Sequence, residues 1–191
     1  MRAPGTGSER YGGVAIAFHW TIALLVLVNW PLGYFGEEIE RLLGQSQVAL
    51  HKSSGLTVLG LSVLRLLWRL AHPMPPLPEA IAPWRAAAAR LTHVAFYVLI
   101  IALPLTGWLR TSSGKYPLTW FGFVELPKFR IVADSAQARV AAQSHEILGW
   151  LMILLVAVHV SAALHHHFRL RDAVLLRMLP RRSRPRPIRY S

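Results

Sequence analysis

Four apolar runs dominate the sequence, and each is long enough to cross a lipid bilayer as a helix. They cover residues 14–35, 48–70, 91–109 and 141–168. The hydrocarbon core of a bilayer is about 30 Å thick and requires about 20 residues of α-helix. Of the 191 residues, 53% are hydrophobic and only 16% are charged, which agrees with four membrane spans. We therefore predict an all-α fold, a transmembrane four-helix bundle that forms a single domain over residues 1–191, with no evident internal repeat.

Basic residues predict the orientation of the bundle, because Lys and Arg collect in cytoplasmic segments. They flank the first span at its start, occupy both sides of the Pro-rich linker between the second and third spans, and fill the tail at 169–191. The loop between the first and second spans is acidic instead. We therefore predict a multi-pass protein of the bacterial inner membrane with both termini in the cytoplasm. The net charge of +12 favours contact with anionic membrane lipid, and no motif for nucleic acid accompanies it.

The fourth run contains two histidines, His145 and His159, that are about four helical turns apart. At about 1.5 Å and 100° per residue, they share one helix face and are separated by roughly 21 Å. An ionisable side chain inside a membrane span is costly unless it has a partner. The chain has no cysteine, which excludes thiolate zinc sites and cysteine-held iron–sulfur clusters. Two stacked metal centres with imidazole-ligated haem iron are therefore the leading interpretation.

Depth along the spans predicts how the histidines pair. His51 and His145 both fall near the outer face, and His159 falls near the cytoplasm together with His19 and His93. Spacing alone leaves open whether His19 or His93 is the second ligand of the inner centre. The simpler alternative for each position is a hydrogen-bonded core histidine, and it is strongest for His93.

Several further residues have a functional and a structural interpretation. Gly55 and Gly149 each follow a histidine by four residues, where a porphyrin or another helix could pack. Arg65 and Arg69 could pair with haem propionates or reach lipid headgroups. His166 shares the helix face of His159 and could hydrogen-bond a quinone or lie solvated at the interface.

A cluster of basic residues in the third loop predicts an attraction for anions. Lys115 and Arg130 are its leading members, with further cations at Lys52, Lys128 and Arg139. A positive field above the outer centre would raise the encounter rate of a small anion. Ordinary solvated loop charges are the alternative.

These residues lie in segments that resemble the bacterial cytochrome b561 family, small four-helix dihaem cytochromes that include superoxide oxidase. The similarity covers nearly the whole chain, in the segments AIAFHWTIALLVLV, LHKSSGLTVLGLSVLRLLWRL with PMPP, LTHVAFYVLIIALPLTGW, SSGKYPLTWFG, QSHEILGWLMILLVAVH and LLRMLPRR.

The resemblance implies two b haems with two histidine ligands each, His19 with His159 and His51 with His145. It leaves His93 beside the inner haem as a candidate quinone contact. It also implies a function, the oxidation of superoxide at the periplasmic side with transfer of the electron to ubiquinone. The alternative is a membrane cytochrome b subunit that passes electrons between quinone and a periplasmic redox protein such as a hydrogenase or molybdoenzyme.

Overall fold

The computed structural model describes residues 10–43, 47–72 and 83–180. Five α-helices and one β-hairpin make up most of this part of the chain. In order they are α1 (Gly13–Tyr34), α2 (Gly36–Leu43), α3 (Gln47–Ala71), α4 (Pro83–Ser112), β1 (Leu118–Trp120), β2 (Val124–Leu126) and α5 (Ala136–His165). A π-helical turn at His166–Leu170 continues α5, and a short 3₁₀ turn follows at Leu176–Met178.

Four of these helices are long and apolar enough to cross a membrane, as the sequence predicts. The candidate spans are Gly13–Tyr34, Gln47–Ala71, Ala86–Ser112 and Ala136–Leu170. Large apolar side chains on these helices are exposed, including Leu24, Leu64, Val94 and Leu154. Contact between this apolar surface and lipid tails costs no free energy, whereas contact with water would be unfavourable. The four-helix bundle is therefore confirmed.

Two spans begin earlier than their apolar runs. Helix α4 starts at Pro83, so residues 83–90 belong to the helix and not to the linker that the sequence predicts. Proline suits a first helical position because the N–H that it lacks would have no helical partner there. Helix α5 starts at Ala136, where Ser135 caps it by accepting a hydrogen bond from the Ala138 amide at 3.2 Å. The candidate membrane span of α4 begins at Ala86, three residues after the helix, whereas that of α5 begins with the helix at Ala136.

The bundle consists of two helix pairs, in which α1 packs on α3 and α4 packs on α5, while α3 and α4 join the pairs. Small side chains on α3, among them Ser54 and Ser62, are buried and allow close packing. The apolar core of the bundle centres on Leu99, Ile100 and Met152. Met152 is only 2% exposed and lies midway along α5 between His145 and His159, the two histidine levels of that helix.

An antiparallel hairpin between α4 and α5 adds β-structure that the all-α prediction missed. Its strands pair Leu118 with Leu126, and its turn contains Phe121 and Gly122 at φ 47° and 76°. The Phe121 amide donates to Ser53 Oγ at 2.9 Å, and Trp120 Nε1 donates to Thr57 Oγ1 at 3.0 Å. The hairpin is thus fixed to the beginning of α3. We call this end of the bundle the hairpin end.

The opposite end, which we call the terminal end, brings the start of α1 against the segment after α5. Trp20 Nε1 donates to the Met178 carbonyl at 2.7 Å, and the Arg10 guanidinium donates to the carbonyls of Leu176 and Leu179 at 2.7 and 2.8 Å. Arg177 is only 5% exposed, so part of the predicted basic tail is folded protein and not a lipid-facing segment.

Residues 1–9, 44–46, 73–82 and 181–191 lie outside the described part of the chain. These ranges include the middle of the Pro-rich linker and the last part of the basic tail. The cytoplasmic location of the terminal end stays a prediction.

Candidate functional site

The hairpin end holds the first histidine pair, His51 of α3 and His145 of α5. Their ring centroids are 6.0 Å apart and their planes are nearly perpendicular, at 83°. His51 Nδ1 lies 2.9 Å from the Asn29 carbonyl, and His145 Nδ1 lies 3.0 Å from the Leu103 carbonyl. Because a carbonyl oxygen only accepts, each Nδ1 carries the proton. Each Nε2 is then left unprotonated, in the form that ligates a metal.

A cavity of about 570 Å³ contains both of these imidazoles in its wall. Gly55 and Gly149, each four residues after a histidine, also line it. The remaining lining is largely apolar and aromatic, including Val58, Met152, Trp108 and Trp150. Concave apolar sites with a few placed polar groups are typical of cofactor pockets.

At the terminal end, His159 lies close to two other histidines of the membrane spans. His159 of α5 has its ring centroid 6.2 Å from that of His19 in α1 and 6.4 Å from that of His93 in α4. Both neighbours therefore stand at similar distances, and the choice between them stays open on geometry. Arg65 Nη2 lies 3.5 Å from His19 Nδ1, which places a cation at this site.

The comparison with known proteins decides the family. Residues 10–181 match the family described as prokaryotic cytochrome b561, which is most of the chain. The chain belongs to the prokaryotic cytochrome b561 family. It is 37% identical to "Cytochrome b561 homolog 2" of Escherichia coli K12, over 92% of this chain and 94% of that protein.

Two further relatives are nearly full-length matches. "Probable superoxide oxidase CybB" of Yersinia pestis is 29% identical over 91% of this chain and 98% of its own length. "Cytochrome b561 homolog 1" of Escherichia coli K12 is 30% identical over 92% and 99%. Together with the four apolar helices, the family identifies a multi-pass bacterial membrane protein and implies haem b binding.

The residues at the hairpin end fit a haem with two histidine ligands. With a metal–imidazole bond of about 2 Å on each side, ring centroids across one metal ion would lie about 6 Å apart. The observed separation of His51 and His145 is 6.0 Å. Both rings also have Nδ1 hydrogen-bonded, as metal-bound histidines usually do. At the terminal end, the 6.2 and 6.4 Å separations fit the same arrangement.

Cations at the hairpin end of this cytochrome b561 chain differ from those that the sequence favoured. Lys52 and Arg110 line the cavity, whereas Lys115 and Arg130 are exposed in the loop and do not. Lys128 holds the loop by donating to the Gly114 carbonyl and to the Tyr116 carbonyl, the latter at 3.2 Å. Arg110 was missed, although its position three residues after Gly107 places it on the same face of α4. The steering role of Lys115 and Arg130 stays a prediction.

At the terminal end, Arg65 and Arg69 both lie against Tyr97. Their guanidinium carbons are 5.8 and 5.1 Å from its ring centroid, and Arg69 Nη1 donates to the Tyr97 hydroxyl at 3.3 Å. They form a cationic surface next to His19. The contact with haem propionates that the sequence suggests for them stays a prediction.

His166 lies in the π-helical turn that extends α5, and its Nδ1 contacts the Asp172 carboxylate. The other carboxylate oxygen of Asp172 accepts from the Val174 amide at 3.0 Å. π-Helical turns are rare and occur frequently at functional sites. The quinone role of His93 and His166 is untested and stays a prediction.

The four spans share a spacing that the sequence interpretation overlooked. The same interval, about four helical turns, links His19 to Gly33 in α1, His51 to Arg65 in α3, His93 to Gly107 in α4, and His145 to His159 in α5. Gly33 and Gly107 are the two members whose role the sequence did not suggest.

Proposed function

We propose that this protein is a dihaem cytochrome b561 of the bacterial inner membrane that transfers electrons from superoxide to ubiquinone. The observation that carries the proposal is the presence of two histidine sites at opposite ends of one four-span bundle, each with ring separations suited to a metal between them. The similarity to a relative named as a probable superoxide oxidase supports the reaction. The hairpin end would face the periplasm, because most Lys and Arg residues belong to segments at the other end.

In this proposal His51 and His145 hold one haem, and His19 and His159 hold the other. When bound, the two b haems supply one-electron transfer between the two ends of the bundle. Two histidine ligands leave no open position on the iron, so superoxide would react without binding to it. The protein's part is to orient the ligands, attract the anion and deliver protons.

Lys52 and Arg110 support an anionic substrate at the hairpin end. Both line the cavity that contains His51 and His145, and Lys128 donates to the carbonyls of Gly114 and Tyr116, which also line it. Positive charge at the mouth of a low-dielectric cavity concentrates anions and raises their association rate. The same cations could pair with haem propionates, which would fix the cofactor in place.

The terminal end offers groups for quinone reduction. Reduction of ubiquinone to ubiquinol takes two electrons and two protons, and two superoxide ions supply the electrons as each becomes dioxygen. His166 contacts Asp172 and His93 lies beside His159, and an imidazole ring can both accept and donate a proton. We propose that protons reach the quinone through them.

Stopped-flow spectroscopy tests the proposal. The oxidised, haem-loaded protein is mixed with superoxide, and ubiquinone is added in a second step. We expect rapid haem reduction that superoxide dismutase abolishes, followed by reoxidation that depends on quinone. Haems that dithionite reduces but superoxide does not would overturn the superoxide reaction.

The second candidate is an electron-transfer subunit with a periplasmic redox partner. The exposed aromatic tip of the hairpin favours it, because Phe123 is 86% exposed and Phe121 and Trp120 are also exposed. Exposed aromatic groups are common at protein interfaces. Failure of the superoxide reaction, with ubiquinol still reducing the haems, would favour this candidate.

A further inference from the structure

Each hairpin-end histidine packs closely against a glycine of the neighbouring helix. A Cβ atom built on Gly33 would lie 2.5 Å from His51 Cε1 and 2.8 Å from its Nδ1. A Cβ atom on Gly107 would lie 2.9 Å from His145 Cε1 and 3.2 Å from its Nδ1. Real Cβ atoms essentially never approach another heavy atom to less than 3.0 Å. Any other residue at these positions would displace the imidazole.

The carbonyl that accepts from each histidine belongs to the same helix, one turn before the glycine. His51 Nδ1 donates to Asn29, four residues before Gly33. His145 Nδ1 donates to Leu103, four residues before Gly107. Each helix therefore provides a two-part imidazole seat, which we define as a main-chain carbonyl and the glycine four residues later.

The two seats lie at matching positions along their helices. Gly33 follows His19 by about four helical turns in α1, and Gly107 follows His93 by the same interval in α4. The histidines that they hold, His51 and His145, are the two members of the hairpin-end pair. The same seat occurs at both proposed ligands of one site, so chance is a poor explanation for the two contacts between glycine and imidazole.

We propose that Gly33 and Gly107 are positioning residues, which set the rotation of the His51 and His145 rings and hold Nδ1–H on the carbonyl. This proposal rests on the proposed ligation of a haem by these two histidines. A hydrogen bond from Nδ1 raises the basicity of the ligating nitrogen, which stabilises oxidised iron and lowers its reduction potential. A seat that cannot form should change the spectrum and the potential of the hairpin-end haem alone.

The test compares Gly33→Ala and Gly107→Ala with Gly60→Ala in the full-length, haem-loaded protein. Gly60 is a matched control, because a Cβ at this helical position would meet no heavy atom within 4 Å. Haem content per protein, a redox titration and low-temperature electron paramagnetic resonance are measured for each variant. These readouts do not depend on turnover.

We expect Gly33→Ala and Gly107→Ala each to shift or abolish one of two redox transitions, with a change in the low-spin signal of that haem. The other transition and all properties of Gly60→Ala should match the wild type. Two unchanged transitions in both variants, an equal effect of Gly60→Ala, or loss of both haems, which would indicate a role in folding, would overturn the inference. A wild-type protein without two haem transitions would instead overturn the proposed function.

Discussion

Arg65 Nη2 lies 3.5 Å from His19 Nδ1, across the contact between α3 and α1. A guanidinium group only donates, so His19 Nδ1 has a cation beside it where His51 and His145 have a main-chain carbonyl. His19 therefore differs from His51 and His145, whose Nδ1 atoms donate to carbonyls. Mutation is therefore needed to decide the choice between His19 and His93 as the second ligand at the terminal end.

Replacing the two candidate ligands separately should resolve it. We expect His19→Ala to lose the terminal-end haem, because His159 would keep no partner of the proposed pair. His93→Ala should retain both haems and slow quinone-dependent reoxidation. Haem content and a redox titration measure the first effect, and stopped-flow absorbance measures the second. The reverse pattern would assign His93 as the ligand.

The hairpin-end pair gives a second prediction. His51→Ala and His145→Ala should each remove one haem and leave the other with its wild-type potential, because the two sites are separated by about 21 Å of helix. The ratio of haem to protein should fall from two to one. Retention of two haems in either variant would contradict the ligand assignment.

Cation removal should slow the reaction with superoxide more at low salt than at high salt, because screening weakens steering. We expect this for Lys115→Gln with Arg130→Gln, and more strongly for Lys52→Gln with Arg110→Gln, which change cavity-lining cations. The loss at low salt should be about 10-fold or less for a pair. Rates are compared at equal haem content, with Arg41→Gln, in α2 and outside the cavity wall, as the control. An unchanged salt dependence in both pairs would exclude steering.

Proton delivery at the terminal end can be separated from haem reduction. His166→Gln and Asp172→Asn should slow reoxidation by ubiquinone several-fold, because they break the contact between these side chains. Reduction of the haems by superoxide should stay at the wild-type rate. His72→Gln is a suitable control, since His72 stacks on Trp68 and has no part in the proposed relay. Equal reoxidation rates in all three variants would exclude the relay.

Ser53 should control the attachment of the hairpin. Its hydroxyl accepts from the Phe121 amide at 2.9 Å and lies 3.3 Å from the Thr119 carbonyl. Ser53→Ala removes these contacts, each worth about 1 kcal/mol, and leaves the Phe121 amide without this partner. Hydrogen exchange at Phe121 should accelerate, while Ser113→Ala, which removes a bond within the end of α4, should not change it. Equal protection in both variants would contradict this role.

The bundle could be predicted from the sequence because membrane spans depend on a single property, the length of an apolar run. The hairpin could not, since each strand is very short and the turn contains Phe121-Gly122 instead of a strong turn pair. Helix α2 was also not predicted, because the charges of this segment indicated only an acidic loop.

The histidine levels could also be predicted, because helical rise converts sequence position into depth. Depth does not show which of two side chains at one level faces His159, so the choice between His19 and His93 as its partner stayed open. Gly33 and Gly107 were overlooked for a related reason. Glycines in membrane helices usually mark helix packing, and only the tertiary structure shows an imidazole against them.

The apolar core at Leu99, Ile100 and Met152 separates the two histidine levels. These side chains offer no groups along which a proton could travel with an electron. Under the proposed orientation, each electron that moves inward therefore carries uncompensated negative charge toward the negative side of an energised membrane. A complete crossing would be opposed by about 2.3 kcal/mol per 100 mV. Because the apolar core would keep protons from following the electron, turnover would be electrogenic. The removal of superoxide would then also help to charge the membrane.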